Sequence, residues 1–338
     1  MIKYIWAHPA QVKAKEEKTL IFEKQILKIF KGMMYTRCDD DGTAFYFSAE
    51  DFPGLQRERY PFPSKMGHTL EGSIYCYENP IPDRLIVFDH GFGGGHRSYM
   101  KEIEILCKNG FRVFAYDHTG CMESGGETPN GMAQSLCDLD DAIATIKADP
   151  RFAGMELSVM GHSWGGFSTM NISALHPEIS RVVVLAGFVS VPLLIGTFFA
   201  GPLKFYQKPI LDLERSGNPR FFAFNGAETL KNSKTRALLI YSANDTMCTR
   251  LHYDTLKAEL SECENVRLML LENKGHNPNY TEDAVQYLGE YLKAKKRRKK
   301  QKSLASEAQR EAFVSSFDWN RMTAQDAADW DEILQFLK

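Results

Sequence analysis

Hydrophobic positions along the chain fall into short continuous runs, separated by segments in which apolar residues recur every three or four positions. Six runs rich in β-branched and aliphatic residues predict strands: Arg84 to Asp89 (RLIVFD), Phe111 to Asp117 (FRVFAYD), Met155 to Met160 (MELSVM), Arg181 to Ala186 (RVVVLA), Arg236 to Ser242 (RALLIYS) and Val266 to Leu271 (VRLMLL). Uninterrupted apolar runs of this length suit strands covered on both faces. The intervening stretches, roughly His96 to Asn109, Met132 to Asp149, Trp164 to His176, Leu251 to Ser261 and Thr281 to Leu292, carry helical spacing. Strand then helix, repeated, predicts an α/β fold: a mostly parallel, doubly wound sheet with helices on both faces.

The flanks read differently. Thr69 to Tyr77 alternates apolar and polar residues, and Asp39 to Gly42 precedes an aromatic run. Both predict antiparallel strands on one edge, for about eight strands in all. Residues 16–31 have helical spacing and are expected outside the core. From Phe188 to about Lys234 the rhythm breaks into aromatic, Pro- and Gly-rich sequence, which predicts a cap inserted after the sixth strand. The main domain thus spans 1–292, with an N-terminal helix and edge strands in 1–80 and the cap at about 188–234. Residues 293–338 read as a basic linker and an amphipathic helix, with Thr323 as its N-cap, Asp326 in its first turn, and Ala327, Trp330, Ile333, Leu334 and Leu337 on one face.

Composition narrows the class. The 338 residues are 43% hydrophobic and 25% charged, which excludes wholesale disorder, collagen and repeat arrays. The formal charge of -2 conceals a split: eight positive charges lie within 293–302, and the remaining chain carries 33 positive against 43 negative, a net of -10. Seven scattered cysteines with no C-x-x-C pair argue against a disulfide framework and a thiolate zinc site. Charge interrupts the first residues before any signal-peptide core could form, so a cytoplasmic setting is expected. Val182 to Leu203 holds 22 residues without a charge, long enough for a membrane span. Three glycines and two prolines interrupt it, and it reads as a buried strand followed by an apolar excursion.

The local signal for chemistry is G-H-S-W-G, Gly161 to Gly165, placed between a strand and a helix where a nucleophile elbow belongs. A serine hydroxyl needs a base and a group that orients the base. Asp245 follows the strand RALLIYS and His276 follows VRLMLL, in the order serine, acid, histidine. Both fall at carboxyl ends of predicted strands, where open α/β sheets bind ligands. The turn H-G-F-G-G-G, His90 to Gly95, can aim backbone N–H groups at the cleft, and the N–H of Phe92 and of Trp164 are the expected oxyanion donors.

These motifs, with D-H-T-G-C-M-E-S-G-G at Asp117 to Gly126, make the region from about Thr69 to Leu292 resemble an α/β-hydrolase of the serine aminopeptidase-like and monoacylglycerol lipase-like group. Met122 or Cys121 stands where that group has its second glycine in the Asp117 loop. The resemblance implies a Ser163–Asp245–His276 triad and an acyl-enzyme on Ser163. The apolar cap adds the expectation of a carboxylic ester with a lipophilic or aromatic acyl or alcohol group. Two alternatives stand beside it: an aminopeptidase-like amide hydrolase, with Glu214 or Glu228 holding an ammonium group, and a catalytically silent member that binds a ligand or surface. No cofactor and no metal are expected, since His96 and His118 come without metal-ligand spacing. The partner expected is a small-molecule ester or amide and not nucleic acid. The block at 293–302 reads as a solvated helix end or linker, with weak contact to an anionic surface as the alternative.

Overall fold

The computed structural model describes residues 9–338, with side chains from residue 22 onward. Residues 1–8, part of the stretch on which the signal-peptide reading rests, lie outside the described residues. Eight strands make one sheet: β1 (Gln56–Arg59), β2 (Gly72–Cys76), β3 (Arg84–Asp89), β4 (Arg112–Tyr116), β5 (Glu156–His162), β6 (Arg181–Leu185), β7 (Arg236–Ser242) and β8 (Val266–Leu271). Their spatial order is β1-β2-β4-β3-β5-β6-β7-β8. β2 pairs antiparallel with β1 and with β4, and the later pairings are parallel. The six runs read as central strands are borne out to within one or two residues.

Both faces of the sheet are buried, which explains the unbroken apolar runs. In β6, Val182 and Val184 point into one core while Val183 and Leu185 point into the other. The helices, in chain order, are α1 (Pro9–Met34), α2 (Met100–Lys108), α3 (Gln134–Ala148), α4 (Trp164–Asn171), α5 (Val191–Phe198), α6 (Gln207–Gly217), α7 (Gly226–Lys231), α8 (Arg250–Leu260), α9 (Glu282–Lys300), α10 (Glu307–Val314), α11 (Trp319–Met322) and α12 (Ala327–Leu337). Residues of α3, α4 and α8 fill the first core, and residues of α2 and α12 fill the second. The chain steps outward from β3 to β4 and then crosses back to β5. That reversal opens a crevice at the carboxyl ends of β3 and β5, where ligands bind in such sheets.

The insertion between β6 and β7 is helical, made of α5, a 3₁₀ stretch (Gly201–Tyr206), α6 and α7. It divides the uncharged stretch Val182 to Leu203 into a strand, an eight-residue helix and the start of that stretch. Among the described residues no helix is long and apolar enough to cross a membrane. α1 lies against this insertion: Phe30, only 4% exposed, meets Phe199 edge-on at 6.2 Å, and the Tyr35 hydroxyl donates to Glu214 Oε1 at 3.1 Å. The helix expected outside the core therefore contributes Phe30 to it.

Two expectations are corrected. The aromatic run after Gly42 forms no strand: Phe45 packs on Phe47 and Trp319, while Phe47 also meets Phe52. The edge strand is instead β1, whose four residues QRER are all exposed and so carry no hydrophobic signal. Of the two readings of the basic block, helix end or linker, residues 293–300 take the first: they are the last turns of α9, and Lys295 and Lys299 pair with Asp41. The N-cap of α12 is Asp326, whose carboxylate accepts from the Ala328 and Asp329 N–H groups, because Thr323 is already used in closing α11.

Candidate active site

Ser163 joins β5 to α4 with φ +55° and ψ -105°, a backbone conformation that side chains rarely adopt. The turn passes so close to its neighbours that two positions admit no side chain. A Cβ on Gly161 would strike the Gly165 carbonyl and Thr169, and one on Gly165 would strike the Asp89 carbonyl. The strain presents the half-buried Ser163 hydroxyl to the crevice.

Asp245 and His276 arrive from the loops after β7 and β8. The Ser163 hydroxyl donates to His276 Nε2 at 2.8 Å, and His276 Nδ1–H donates to Asp245 Oδ2 at 2.7 Å. Asp245 is 4% exposed, and its other oxygen accepts from the N–H groups of Met247 (2.7 Å) and Cys248 (3.2 Å). The acid is thus held by its own loop and aims one oxygen at the ring. The two loops are tied together: Ser242 Oγ accepts from the Lys274 N–H at 3.0 Å, and Asn244 Oδ1 accepts from the Gly275 N–H at 2.8 Å.

The residues proposed for an oxyanion hole also meet here. Among the described residues, the backbone N–H groups of Phe92 and Trp164 have no hydrogen-bond partner, whereas their neighbours Gly91 and Gly165 donate to the Tyr99 hydroxyl and the His90 carbonyl. The Phe92 and Trp164 rings pack edge-on at 5.2 Å. His90 supports the turn: its Nδ1–H donates to the Gly91 carbonyl, and Nε2 accepts from the His118 N–H at 2.9 Å. Burial, reinforced by the charge on His118, pushes the His90 pKa down to about 3, so this ring is neutral. His118 itself lies between Asp89 at 2.9 Å and Asp138 at 3.2 Å. Burial pulls its pKa down, but the two carboxylates win and raise it to about 10, leaving a paired cation beneath the turn.

Cys248 lies beside the acid, and Asp245, Cys248 and His276 bring a carboxylate, a thiol and a ring nitrogen within 4.8 Å of one another. Burial and the Asp245 charge push the thiol pKa well up, so it remains protonated. Both oxygens of Glu214 are engaged, one by Tyr35 and the other by the Met132 N–H at 2.7 Å. Glu228 is exposed at the start of α7.

The sequence reading missed what fixes the His276 loop. Lys274, 7% exposed, places Nζ 2.5 Å from Asp326, 2.9 Å from Asp329 and 2.9 Å from the Tyr280 carbonyl. Asn279 donates to Gln325 at 2.7 Å and to the buried Glu102 at 3.0 Å. The only cue in the sequence was a lysine inside a predicted loop two residues before the histidine.

Comparisons with known proteins agree with this architecture. The chain has the fold of α/β-hydrolases. A family model described as serine aminopeptidase, S33, matches residues 80–219, which contain the His90–Gly95 turn, Ser163 and helices α5 and α6 but stop short of Asp245 and His276. A candidate carbamate hydrolase, RutD, of Rhizobium rhizogenes is 31% identical over 107 residues, 31% of this chain and 38% of that protein. The uncharacterised protein YqkD of Bacillus subtilis is 24% identical over 179 residues, 52% of this chain and 57% of that protein. The chain therefore spans less than two thirds of the length of these relatives. Among solved structures, the esterase Pf2001 of Pyrococcus furiosus superposes with a TM-score of 0.55 at 19% identity, over 71% of this chain and 88% of that one. An acetyl xylan esterase of Paenibacillus superposes at 0.53 with 17% identity, over 69% and 82%.

Proposed function

We propose that this protein is a serine hydrolase that cleaves carboxylic esters through an acyl-enzyme on Ser163. The observation that carries the reading is the unbroken relay from Ser163 Oγ to His276 Nε2, and from His276 Nδ1 to Asp245 Oδ2, at 2.8 and 2.7 Å. In the proposed reaction His276 takes the serine proton as Oγ attacks the carbonyl carbon, and Asp245 stabilises the resulting imidazolium. The Phe92 and Trp164 N–H groups receive the developing oxyanion, each worth about 10²- to 10³-fold in rate. His276 then protonates the leaving alcohol, and water activated by the same ring releases the acid.

A lipophilic or aromatic ester is the proposed substrate class, because half-buried Phe92, Leu193, Phe198, Phe199 and Phe224 pack around the core that the cap covers. The aminopeptidase reading finds less support, since Glu214 is already occupied on both oxygens. The decisive experiment is labelling with a fluorophosphonate. The wild type should form an adduct and Ser163→Ala should form none; an adduct that survives the substitution would refute the mechanism. A chain-length series of p-nitrophenyl esters compared with aminoacyl-p-nitroanilides then tests the substrate class, and faster anilide turnover would favour the peptidase.

A further inference from the structure

His162, the residue between the elbow glycine and Ser163, is 6% exposed and both its ring nitrogens are engaged. Tyr99, at the junction that leads into α2, lies 2.8 Å from Nδ1, and the carbonyl oxygen of His276 lies 2.7 Å from Nε2. The Tyr99 oxygen also accepts from the Gly91 N–H at 3.0 Å.

Each of these groups has only one role left to play. A carbonyl oxygen can only accept, so Nε2 carries the proton. Nδ1 is then a lone pair and must accept, so the Tyr99 hydroxyl donates to it and uses its oxygen for Gly91. The proton order runs in one direction: Gly91 N–H to Tyr99 O–H to His162 Nδ1, then His162 Nε2–H to the His276 carbonyl. This chain joins the oxyanion turn, the elbow and the histidine loop, three segments that come from β3, β5 and β8. It also supplies the one side-chain contact to the His276 main chain among the described residues' hydrogen bonds. Burial and the neighbouring His276 charge push the His162 pKa down to about 3, which keeps the ring neutral and the order intact.

We propose that His162 and Tyr99 are positioning residues: Tyr99 fixes the tautomer of His162, and His162 holds the His276 backbone so that its ring stays aligned on Ser163 while Gly91 sets the adjoining Phe92 N–H. The inference rests on the serine-hydrolase reading above. It assigns a purpose to two polar side chains that the chemistry itself does not use, neither of which touches the reacting carbonyl. A ring 4.8 Å from the His276 ring, at 56° to it, is placed to restrain it without exchanging a proton.

The test compares three variants with the wild type by fluorophosphonate labelling rate, ester kcat and KM, and thermal midpoint. Tyr99→Phe removes one oxygen, freeing the His162 tautomer and the Gly91 N–H together. It should lower kcat and the labelling rate about 10- to 100-fold, with KM within about twofold and the midpoint nearly unchanged. His162→Leu should lose at least as much. His162→Gln keeps an N–H for the His276 carbonyl and an oxygen for Tyr99, and should recover part of the loss. A wild-type labelling rate in Tyr99→Phe, or losses that merely track the fraction of folded protein, would overturn the positioning role. Should His162→Leu fail to fold, Tyr99→Phe alone decides. If the wild type itself takes no label, the serine-hydrolase reading fails instead, and the two failures are told apart.

Discussion

Lys274 and Asp329 meet at 2.9 Å inside the protein, and this contact joins the loop that carries His276 to the first turn of α12. Asp326 shares the same ammonium group at 2.5 Å, and the segment is further paired through Thr281 to Ala324 and Asp326 to Asn279 backbone bonds. The helix that closes the second core is therefore also the brace of the active-site loop.

Lys274→Met should show this directly. Removing the cation leaves the buried Asp329 carboxylate unpaired beside Asp326, whose side chain is 30% exposed; breaking a fully buried pair typically costs about 3 kcal/mol, and the exposure of Asp326 lowers that figure. Chemical denaturation should report a loss of that order. kcat should fall further than the folded fraction explains, because His276 lies two residues away. A stable variant with unchanged kcat would separate the brace from the chemistry.

The central sheet and the residues of the proposed triad were legible because each has a local signature: continuous apolar runs for β3 to β8, and G-H-S-W-G between a strand and a helix. Asp245 and His276 could be picked from their order alone, since each follows a strong strand. The brace was not legible. Lys274 and Asp326 are 52 positions apart and each is an ordinary charged residue in a predicted loop or helix start. The Tyr99–His162 chain was hidden for the same reason, since nothing in local spacing brings the start of α2 to the elbow. β1 escaped because QRER is exposed on every side chain, and Phe45 to Phe47 misled because its aromatics pack on Phe52 and Trp319 without pairing as a strand.

Glu102 gives the fold a pH dependence. Its carboxyl is fully enclosed, and burial raises its pKa from the usual 4.5 to about 7, against the opposing hydrogen bonds from Asn279 and Gln325. A folded pKa above the unfolded one means that the protonated group favours the native state. The contribution is fully present below pH 4.5 and is lost as pH rises towards 7. Glu102→Gln should thus be increasingly more stable than the wild type between pH 5 and pH 8, by at most about 3 kcal/mol at the upper end. Thermal melts across that range check it, and a difference that does not grow with pH would contradict the assignment.

Asp245→Asn should leave the fold intact and lower kcat by about 10⁴-fold, because the amide favours the wrong tautomer of His276. Steady-state ester hydrolysis measures the loss, and a melting curve close to wild type shows that the protein is folded.

Gly165→Ala should damage both stability and activity. The added methyl group meets the Asp89 carbonyl, which is backbone and cannot turn aside. Overpacking of this kind costs about 1–3 kcal/mol, and the displaced elbow should label slowly or not at all with a fluorophosphonate. Full labelling by a stable variant would mean that β3 yields more easily than its close approach implies.

The dependence of His276 on Asp326 and Asp329 also orders events during synthesis. Ser163 and Asp245 emerge from the ribosome before the residues that steady the histidine have been added to the chain. A nascent polypeptide halted ahead of position 326 would carry Ser163, Asp245 and His276 without the Lys274 brace, so under the proposed mechanism it should take a fluorophosphonate label more slowly than the finished chain.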